Sequence, residues 1–394
     1  MTVPPAPAGD RPAAATTPAA ELRFEEVVKR YPGADAATIE GLSLTVPAGE
    51  ILVLVGPSGC GKTTAMRMVN RMIEPTSGRI LIAGRPTAER EPAELRREIG
   101  YVIQQTGLFP HRTVADNIAT VPRLLDWSRD RIAARTTELL DLVGLDATFA
   151  GRYPTQLSGG QRQRVGVARA LAVDPPLMLM DEPFGAIDPI TRDRLQNELL
   201  RLQRAQPRTI VFVTHDIDEA IKLGDRVAVM RPGGHLAQYA TPAELLLAPA
   251  DEFVERFVGA DRALKRLALG RVRDLPLERP ALVRHDDPSA WVRAQLGDAE
   301  VPYPLVVDPD GRPVAWLDED DLAAERVDAA AGSPVAIVSR DDVLRDAFST
   351  VLAHAVQYAA VVDDAGAVVG VLSSDAVARE LAPAPAPAEP EPAA

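Results

Sequence analysis

The chain predicts an α/β fold built on a largely parallel sheet with a helical insert, followed by a smaller α/β module made of two copies of one unit. Three observations carry this reading. From Leu22 to about Gly259, short β-branched or aliphatic runs alternate with helix-length segments, the pattern of strands joined by crossover helices. The runs ILVLV (51–55), LMLM (177–180) and TIVFVT (209–214) are continuously apolar, as strands covered on both faces must be. The last third repeats itself at an offset of 55 residues, with Val283, Tyr303, Val306, Val307, Asp308, Gly311 and Leu317 falling on Val338, Tyr358, Val361, Val362, Asp363, Gly366 and Leu372.

Taken in order, residues 1–21 are rich in Pro and Ala with no basic start leading into an apolar core, so they read as a disordered lead and not as a signal peptide. Residues 22–260 form the α/β unit. Within it, 111–157 lacks apolar strands, and RIAARTTELLDLVG places Ile132, Leu139, Leu142 and Val143 on one helix face with Gly144 available as a cap. A helical subdomain is therefore expected over about 105–165. Residues 261–276 read as a linker, 277–330 and 332–380 as the two repeats, and 381–394 as a Pro/Ala-rich extended tail. Each repeat reads strand, helix, strand, glycine turn, strand, helix, the last helix of the first copy being DEDDLAAE.

Composition narrows the function. The net charge is −13, and residues 261–394 hold 24 acidic against 13 basic residues while 1–260 hold 32 against 30. The acidity thus belongs to the C-terminal third, and the chain lacks the basic face that nucleic-acid binding requires. No apolar run approaches the length needed to span a bilayer. The single cysteine, Cys60, makes no internal disulfide, in keeping with a reducing, cytoplasmic compartment.

The chemistry begins at GPSGCGKTT, residues Gly56, Pro57, Ser58, Gly59, Cys60, Gly61, Lys62, Thr63 and Thr64. It follows the apolar run at 51–55 and opens the helix-compatible TTAMRMVNRM. Glycines let backbone N–H groups wrap a phosphate, a helix N-terminus adds partial positive charge, Lys62 reaches the outer phosphates, and the Thr63 hydroxyl suits Mg²⁺. LMLMDEP puts Asp181 and Glu182 at the carboxyl end of a buried strand, where open α/β sheets bind ligands. Asp181 is the candidate for holding Mg²⁺, and Glu182 for polarising the attacking water.

At LSGGQRQRV (157–165) the chain resembles the signature sequence of ABC ATPases. In that family two subunits sandwich two ATP molecules, each between one phosphate loop and the partner's signature, so the resemblance implies a homodimer with Ser158, Gly159, Gly160 and Gln161 acting on the partner's ATP. Ser158 can cap a helix beginning near Gln161, and the two glycines permit close backbone approach to a γ-phosphate. The remaining family elements follow in order: Tyr31, 25 residues before Gly56, as the aromatic that stacks on adenine; Gln104 in YVIQQTGLFPH, contacting Mg²⁺ and the water; Asp188 in GAIDP, in the loop that crosses between subunits; and His215 in FVTHDIDEA, at the γ-phosphate. Ile187 stands where the family usually has Leu.

From about Phe24 to Leu267 the sequence is similar to the ATP-binding subunits of glycine betaine, carnitine, choline or proline importers, carried by KRYPG, GPSGCGKTTAMRMVNRMIEPTSGRI and GRYPTQLSGGQRQRVGVARALAVDPPLMLMDEPFGAIDPITR. This implies an ATP hydrolase at the cytoplasmic face of the membrane, working with integral membrane permease subunits and, indirectly, with an extracytoplasmic substrate-binding protein. The alternatives are an importer for another small solute such as an amino acid, and a soluble ABC ATPase outside transport. The repeat resembles a tandem pair of CBS modules. In such modules a Gly-x-x-Ser/Thr-x-x-Asp pattern holds an adenine nucleotide. Here it is broken twice: Asp318 stands in the Ser/Thr position of the first copy, which keeps Asp321, and Ala376 in the Asp position of the second, which keeps Ser373. A structural or ionic-strength role is the expectation over nucleotide sensing.

Overall fold

A computed structural model describes residues 18–103, 107–185, 187–297, 299–354 and 357–381. They fall into two compact units. The first runs to Leu245 and takes in Pro249–Phe257, and the second holds Leu246–Ala248 and the residues from Val258 onward. No helix among the described residues is long and apolar enough to cross a membrane.

The first unit opens with β1 (Leu22–Lys29), β2 (Ile39–Val46) and β3 (Ile51–Val55), then α1 (Lys62–Val69), β4 (Ser77–Ile82), β5 (Arg85–Pro86), α2 (Pro92–Arg97) and β6 (Ile99–Val102). The helical stretch holds α3 (Val114–Ile118), α4 (Thr120–Leu124), α5 (Arg129–Leu142) and α6 (Gly159–Ala170). It is followed by β7 (Leu177–Asp181), α7 (Pro189–Ala205), β8 (Thr209–Val213), α8 (Ile217–Leu223), β9 (Arg226–Arg231), β10 (His235–Ala240), α9 (Pro242–Leu247) and α10 (Glu252–Val258).

Two sheets result. A six-stranded sheet has the order β10-β9-β3-β8-β7-β6, parallel throughout except for the β9/β10 pair. Every residue of β3, β7 and β8 is buried, which is why these strands are unbroken apolar runs. The second sheet, β2-β1-β4-β5, is antiparallel. Leu22, Phe24, Ile80 and Ile82 from this sheet share a core with Ala65 and Met66 of α1 and Leu52 and Leu54 of β3, so α1 lies between the two layers. The sequence reading, which followed apolar runs alone, gave one largely parallel sheet for this region.

Helix α5 ends as its residues suggest. Gly144 takes φ +64°, its N–H bonds the Asp141 carbonyl at 2.9 Å, and Leu145 N–H reaches back to Leu140 O at 2.8 Å, the paired bonds of a glycine-terminated helix. Leu139, Leu140 and Val143 are buried, whereas Ile132 is only half-buried.

The second unit carries α11 (Arg262–Arg266), β11 (Leu282–Val283), α12 (Ser289–Leu296), β12 (Leu305–Val307), β13 (Pro313–Trp316), β14 (Ala336–Ser339), α13 (Leu344–Ala353), β15 (Tyr358–Val362), β16 (Val368–Ser373) and α14 (Ser374–Leu381). The stretch read as a linker buries Leu267 and Val272 in the core of the second repeat. Each repeat is a three-stranded sheet in which the first two strands are parallel and the last two antiparallel. The pair Leu282↔Leu305 recurs as Ile337↔Ala360. The turn recurs too. Asp308 Oδ1 accepts the N–H groups of Asp310 and Arg312, as Asp363 Oδ1 accepts those of Ala365 and Ala367, with Gly311 and Gly366 at φ +80° and +83°, a conformation that disfavours any side chain.

The copies differ at their ends. DEDDLAAE forms only a 3₁₀ turn, Asp321–Ala323, where the second copy has the full helix α14. Asp318 and Asp321 each accept the other's N–H at 2.9 Å, and the chain then turns extended at Ala324 toward the bridge Pro288↔Arg326. Local side-chain bonds of this kind compete with helix.

Candidate functional site

The order of the six-stranded sheet brings the motifs together. Strands β3, β8, β7 and β6 are successive neighbours and parallel, so their carboxyl ends open on one edge. The phosphate loop follows β3, His215 follows β8, and Asp181 and Glu182 close β7. Gln104 follows β6 in the sequence and lies outside the described residues.

The loop from Gly56 to Gly61 has little freedom to be anything else. Gly56 has φ +148°, and a Cβ there would stand 2.2 Å from the Met230 carbonyl and 2.8 Å from Cys60 Sγ. Gly61 has φ +98°, with a Cβ 2.7 Å from the Thr38 carbonyl. Cys60 is buried, Pro57, Thr63 and Thr64 are half-buried, and Ser58 and Gly59 are exposed. Lys62 opens α1 and is buried, and its Nζ donates to the Gly56 and Pro57 carbonyls at 2.6 and 3.0 Å, so the loop is closed around the ammonium group. No side chain caps α1, which leaves its first-turn N–H groups to an external acceptor.

Beside the loop, Thr63 Oγ1 donates to Asp181 Oδ1 at 3.1 Å. Asp181 is buried, and burial holds its carboxyl above the usual range, partly offset by the Thr63 hydrogen bond and the Arg67 charge. A buried carboxylate next to a hydroxyl at the phosphate loop is the partial oxygen set that Mg²⁺ accepts when phosphates complete it. Glu182, with φ +45°, is in the left-handed region, uncommon for a residue with a side chain and frequent at functional sites. Its N–H bonds Val213 O at 3.0 Å, and its Oε1 lies 3.2 Å from His215 Nδ1. His215 is two-thirds exposed, with side-chain exposure of 66%.

Sequence reasoning missed the residues that hold this turn. Thr214 Oγ1 donates to Glu219 Oε2 at 2.6 Å and accepts the Asp216 N–H at 3.0 Å, while Gln196 Nε2 donates to Glu219 Oε1 at 3.1 Å. The network is buried and fixes the backbone on either side of His215. Only the acidic first turn of α8 could have signalled it, and that also fits an ordinary helix start.

The structure places the signature apart from these groups in sequence and on the surface. Ser158 caps α6, its Oγ accepting the Gln161 N–H at 3.2 Å while Gln161 Oε1 accepts the Ser158 N–H at 2.9 Å. The helix therefore begins at Gly159, earlier than the Gln161 start expected, because the reciprocal cap outweighs the poor helix propensity of two glycines. Neither glycine has a positive φ. A Cβ on Gly160 would meet nothing within 4 Å, and one on Gly159 only the tip of Arg162 at 4.0 Å. Among the described residues, nothing requires glycine at either position.

Tyr31 sits in the turn after β1 and is 39% exposed, which sets aside a role in the core. Lys29 Nζ lies 5.1 Å from its ring centre. Asp188 caps α7 by accepting the Thr191 N–H at 3.0 Å, a bond that lowers its carboxyl pKa. Ile187 is buried, and Ile190 is 86% exposed. In the second unit, Ser373 Oγ donates to Glu278 Oε1 at 2.5 Å and accepts the Ala376 N–H at 3.1 Å.

Known proteins resemble this chain along most of its length. Family models described as ABC transporter and CBS domain match residues 39–185 and 329–383. The chain is 45% identical to the glycine betaine/carnitine/choline transport ATP-binding protein of Bacillus subtilis, across 89% of this chain and 94% of that one. It is 44% identical to the osmoprotectant import ATP-binding protein of Salmonella typhimurium, across 91% and 95%. Among solved structures, a dimeric ATP-binding cassette in a post-hydrolysis state bound to ADP and Pi superposes with a TM-score of 0.52 and 32% identity, over 56% of this chain and 98% of that one. With such identity running almost end to end through both partners, and with an ABC ATPase unit followed by a CBS module, the chain belongs to the ATP-binding, ATP-hydrolysing subunits of ABC transporters, in the branch of the glycine betaine, carnitine and choline systems.

Proposed function

We propose that two copies of this chain close on two ATP molecules and drive a membrane permease that imports quaternary ammonium osmoprotectants. One observation carries the catalytic part: Lys62, Thr63, Asp181, Glu182 and His215 issue from the carboxyl ends of three adjacent parallel strands. The phosphate loop and the N-terminus of α1 bind the triphosphate, and Lys62 exchanges the Gly56 and Pro57 carbonyls for phosphate oxygens. Thr63 and Asp181 would hold Mg²⁺, with Gln104 as a further oxygen donor from outside the described residues, and the ion would offset the charge of the phosphates. Glu182 orients and deprotonates the water that attacks the terminal phosphorus, and His215, 3.2 Å from Glu182, holds it and contacts the γ-phosphate. The rigid turn around Thr214 and Glu219 keeps both in place.

The second half of the site comes from the partner. Gly159 and Gly160 have no neighbour among the described residues of their own chain that excludes a side chain, and they lie in the first turn of a capped helix. Their being glycine is explained by a phosphate approaching the backbone from outside. Asp188 and the exposed Ile190 lie in the stretch that crosses to the twin subunit. Closure is the mechanical step, passed to the permease through the segment from 104 to 111, and hydrolysis reopens the pair. The ATPase stands peripherally at the cytoplasmic face.

The solute is inferred from the relatives, because the ATPase itself does not touch it. Uptake of labelled glycine betaine, choline, carnitine and proline by the reconstituted complex tests this. Import of at least one of them with ATP consumption is expected; import of an unrelated solute alone would overturn it.

A further inference from the structure

The two repeats of the C-terminal unit meet at aromatic side chains. Tyr303 and Tyr358 are equivalent positions, 55 residues apart, and their rings contact edge-on with centroids 6.1 Å apart. Trp316 lies 6.3 Å from Tyr358 at an interplanar angle of 50°. Tyr303 is 40% exposed and Trp316 only 7%, and the Trp316 indole N–H is buried without a hydrogen-bond partner. One carboxylate is tied to this group through the sheet: Tyr358 pairs with Ser373 across β15 and β16, and Ser373 Oγ donates to Glu278 Oε1 at 2.5 Å. The Tyr358 phenol is pushed up in pKa first by burial and then by the charges of Glu278, Asp375 and Tyr303. Arg266 pairs with Glu380 and Arg273 with Asp341 in the same unit, yet neither Glu278 nor Asp375 forms an ion pair among the described residues.

We propose that the cluster of Tyr303, Tyr358, Trp316 and Glu278 binds a quaternary ammonium cation, so that the C-terminal unit reads the internal level of the solute that the transporter brings in. The chemistry selects this class against the obvious rivals. A phosphate-bearing ligand is disfavoured because the Ser373 hydroxyl, the one surviving phosphate-holding group of the second repeat, already donates to the Glu278 carboxylate, and a second anion there would be repelled. A small metal ion needs several convergent oxygen or nitrogen ligands, and no such group occurs among the described residues. A trimethylammonium group is large and weakly hydrated, and spreads its charge over methyl groups that favour aromatic faces with a carboxylate nearby. The feedback role rests on the solute proposed above; the site itself rests only on these four side chains.

Calorimetric titration of the full-length chain with choline and tetramethylammonium tests the proposal. The uncharged isostere of choline, 3,3-dimethylbutan-1-ol, is the control. Saturable binding of both cations and none of the isostere is expected. Tyr303→Leu removes one partly exposed ring with little change in volume, and Glu278→Gln removes a charge while keeping an acceptor for Ser373. Each should weaken binding about tenfold and leave basal ATP hydrolysis unchanged. No saturable binding of choline, equal binding of the isostere, or unaltered affinity in both variants would overturn the proposal. The uptake assay separates the two readings. Import of quaternary amines by a transporter whose C-terminal unit ignores choline sinks this inference alone, whereas choline binding in a transporter that imports a different solute sinks the transport reading and leaves this site standing.

Discussion

Replacing Gly160 by alanine should move stability and activity in opposite directions. Gly160 is the second residue of α6, it has no positive φ, and an added Cβ meets no atom within 4 Å. The methyl group therefore enters open space, and the lower backbone entropy of alanine favours the helix by up to about 1 kcal/mol. For a folding unit of this size that is a rise in Tm of about 2–4 °C. The same methyl group obstructs a phosphate approaching the first turn of α6 from a second subunit. Losing one charge-assisted hydrogen bond costs about 1.5–3 kcal/mol, a fall in ATP turnover of about 10- to 150-fold. Thermal unfolding of the nucleotide-free protein and steady-state phosphate release measure the two effects. A variant less stable than the parent would show that the glycine serves its own chain. A variant with parental turnover would show that no phosphate approaches Gly160.

Asp181→Asn should stabilise the nucleotide-free protein at neutral pH. Because burial raises the carboxyl pKa in the folded state, the stability it contributes below the ordinary Asp range is lost as pH rises through the raised value. The variant's advantage should shrink as pH falls toward that range, and Mg-ATP should no longer raise its Tm; a constant difference from acid to neutral pH would contradict this. Phe212 in β8 is fully buried and packs on Phe184 with ring centroids 5.7 Å apart. Phe212→Ala should cost about 3–5 kcal/mol in denaturant unfolding, and a loss under about 1 kcal/mol would mean that the strand can collapse around the cavity.

The parts of the fold and site that were legible in the sequence are those encoded over a few residues. The phosphate loop, the buried strands β3, β7 and β8, and the acids closing β7 can each be read from one uninterrupted stretch. The repeat was visible because equivalent turns place Asp308 and Asp363 under the same two hydrogen bonds. What escaped depended on pairing across distance. The antiparallel sheet of β1, β2, β4 and β5 mixes exposed and buried positions and makes no clean apolar run. The α6 start was placed two residues late because the return bond from Gln161 to the Ser158 N–H, which completes the cap, was not read. The Thr214–Glu219–Gln196 network joins the residue after β8 to residues of α8 and α7 that no local pattern connects. Glu182 could be named from its place after Asp181, but its left-handed backbone could not.

The central claim is that one triphosphate is held by Lys62 of one copy and Gly160 of another, and it is tested most directly by the mass of the Glu182→Gln protein in solution. With water attack blocked and binding groups intact, saturating Mg-ATP should convert monomer to a dimer containing two ATP molecules, and Gly160→Ala in the same background should abolish that conversion. A Glu182→Gln protein that binds Mg-ATP and stays monomeric would contradict the account.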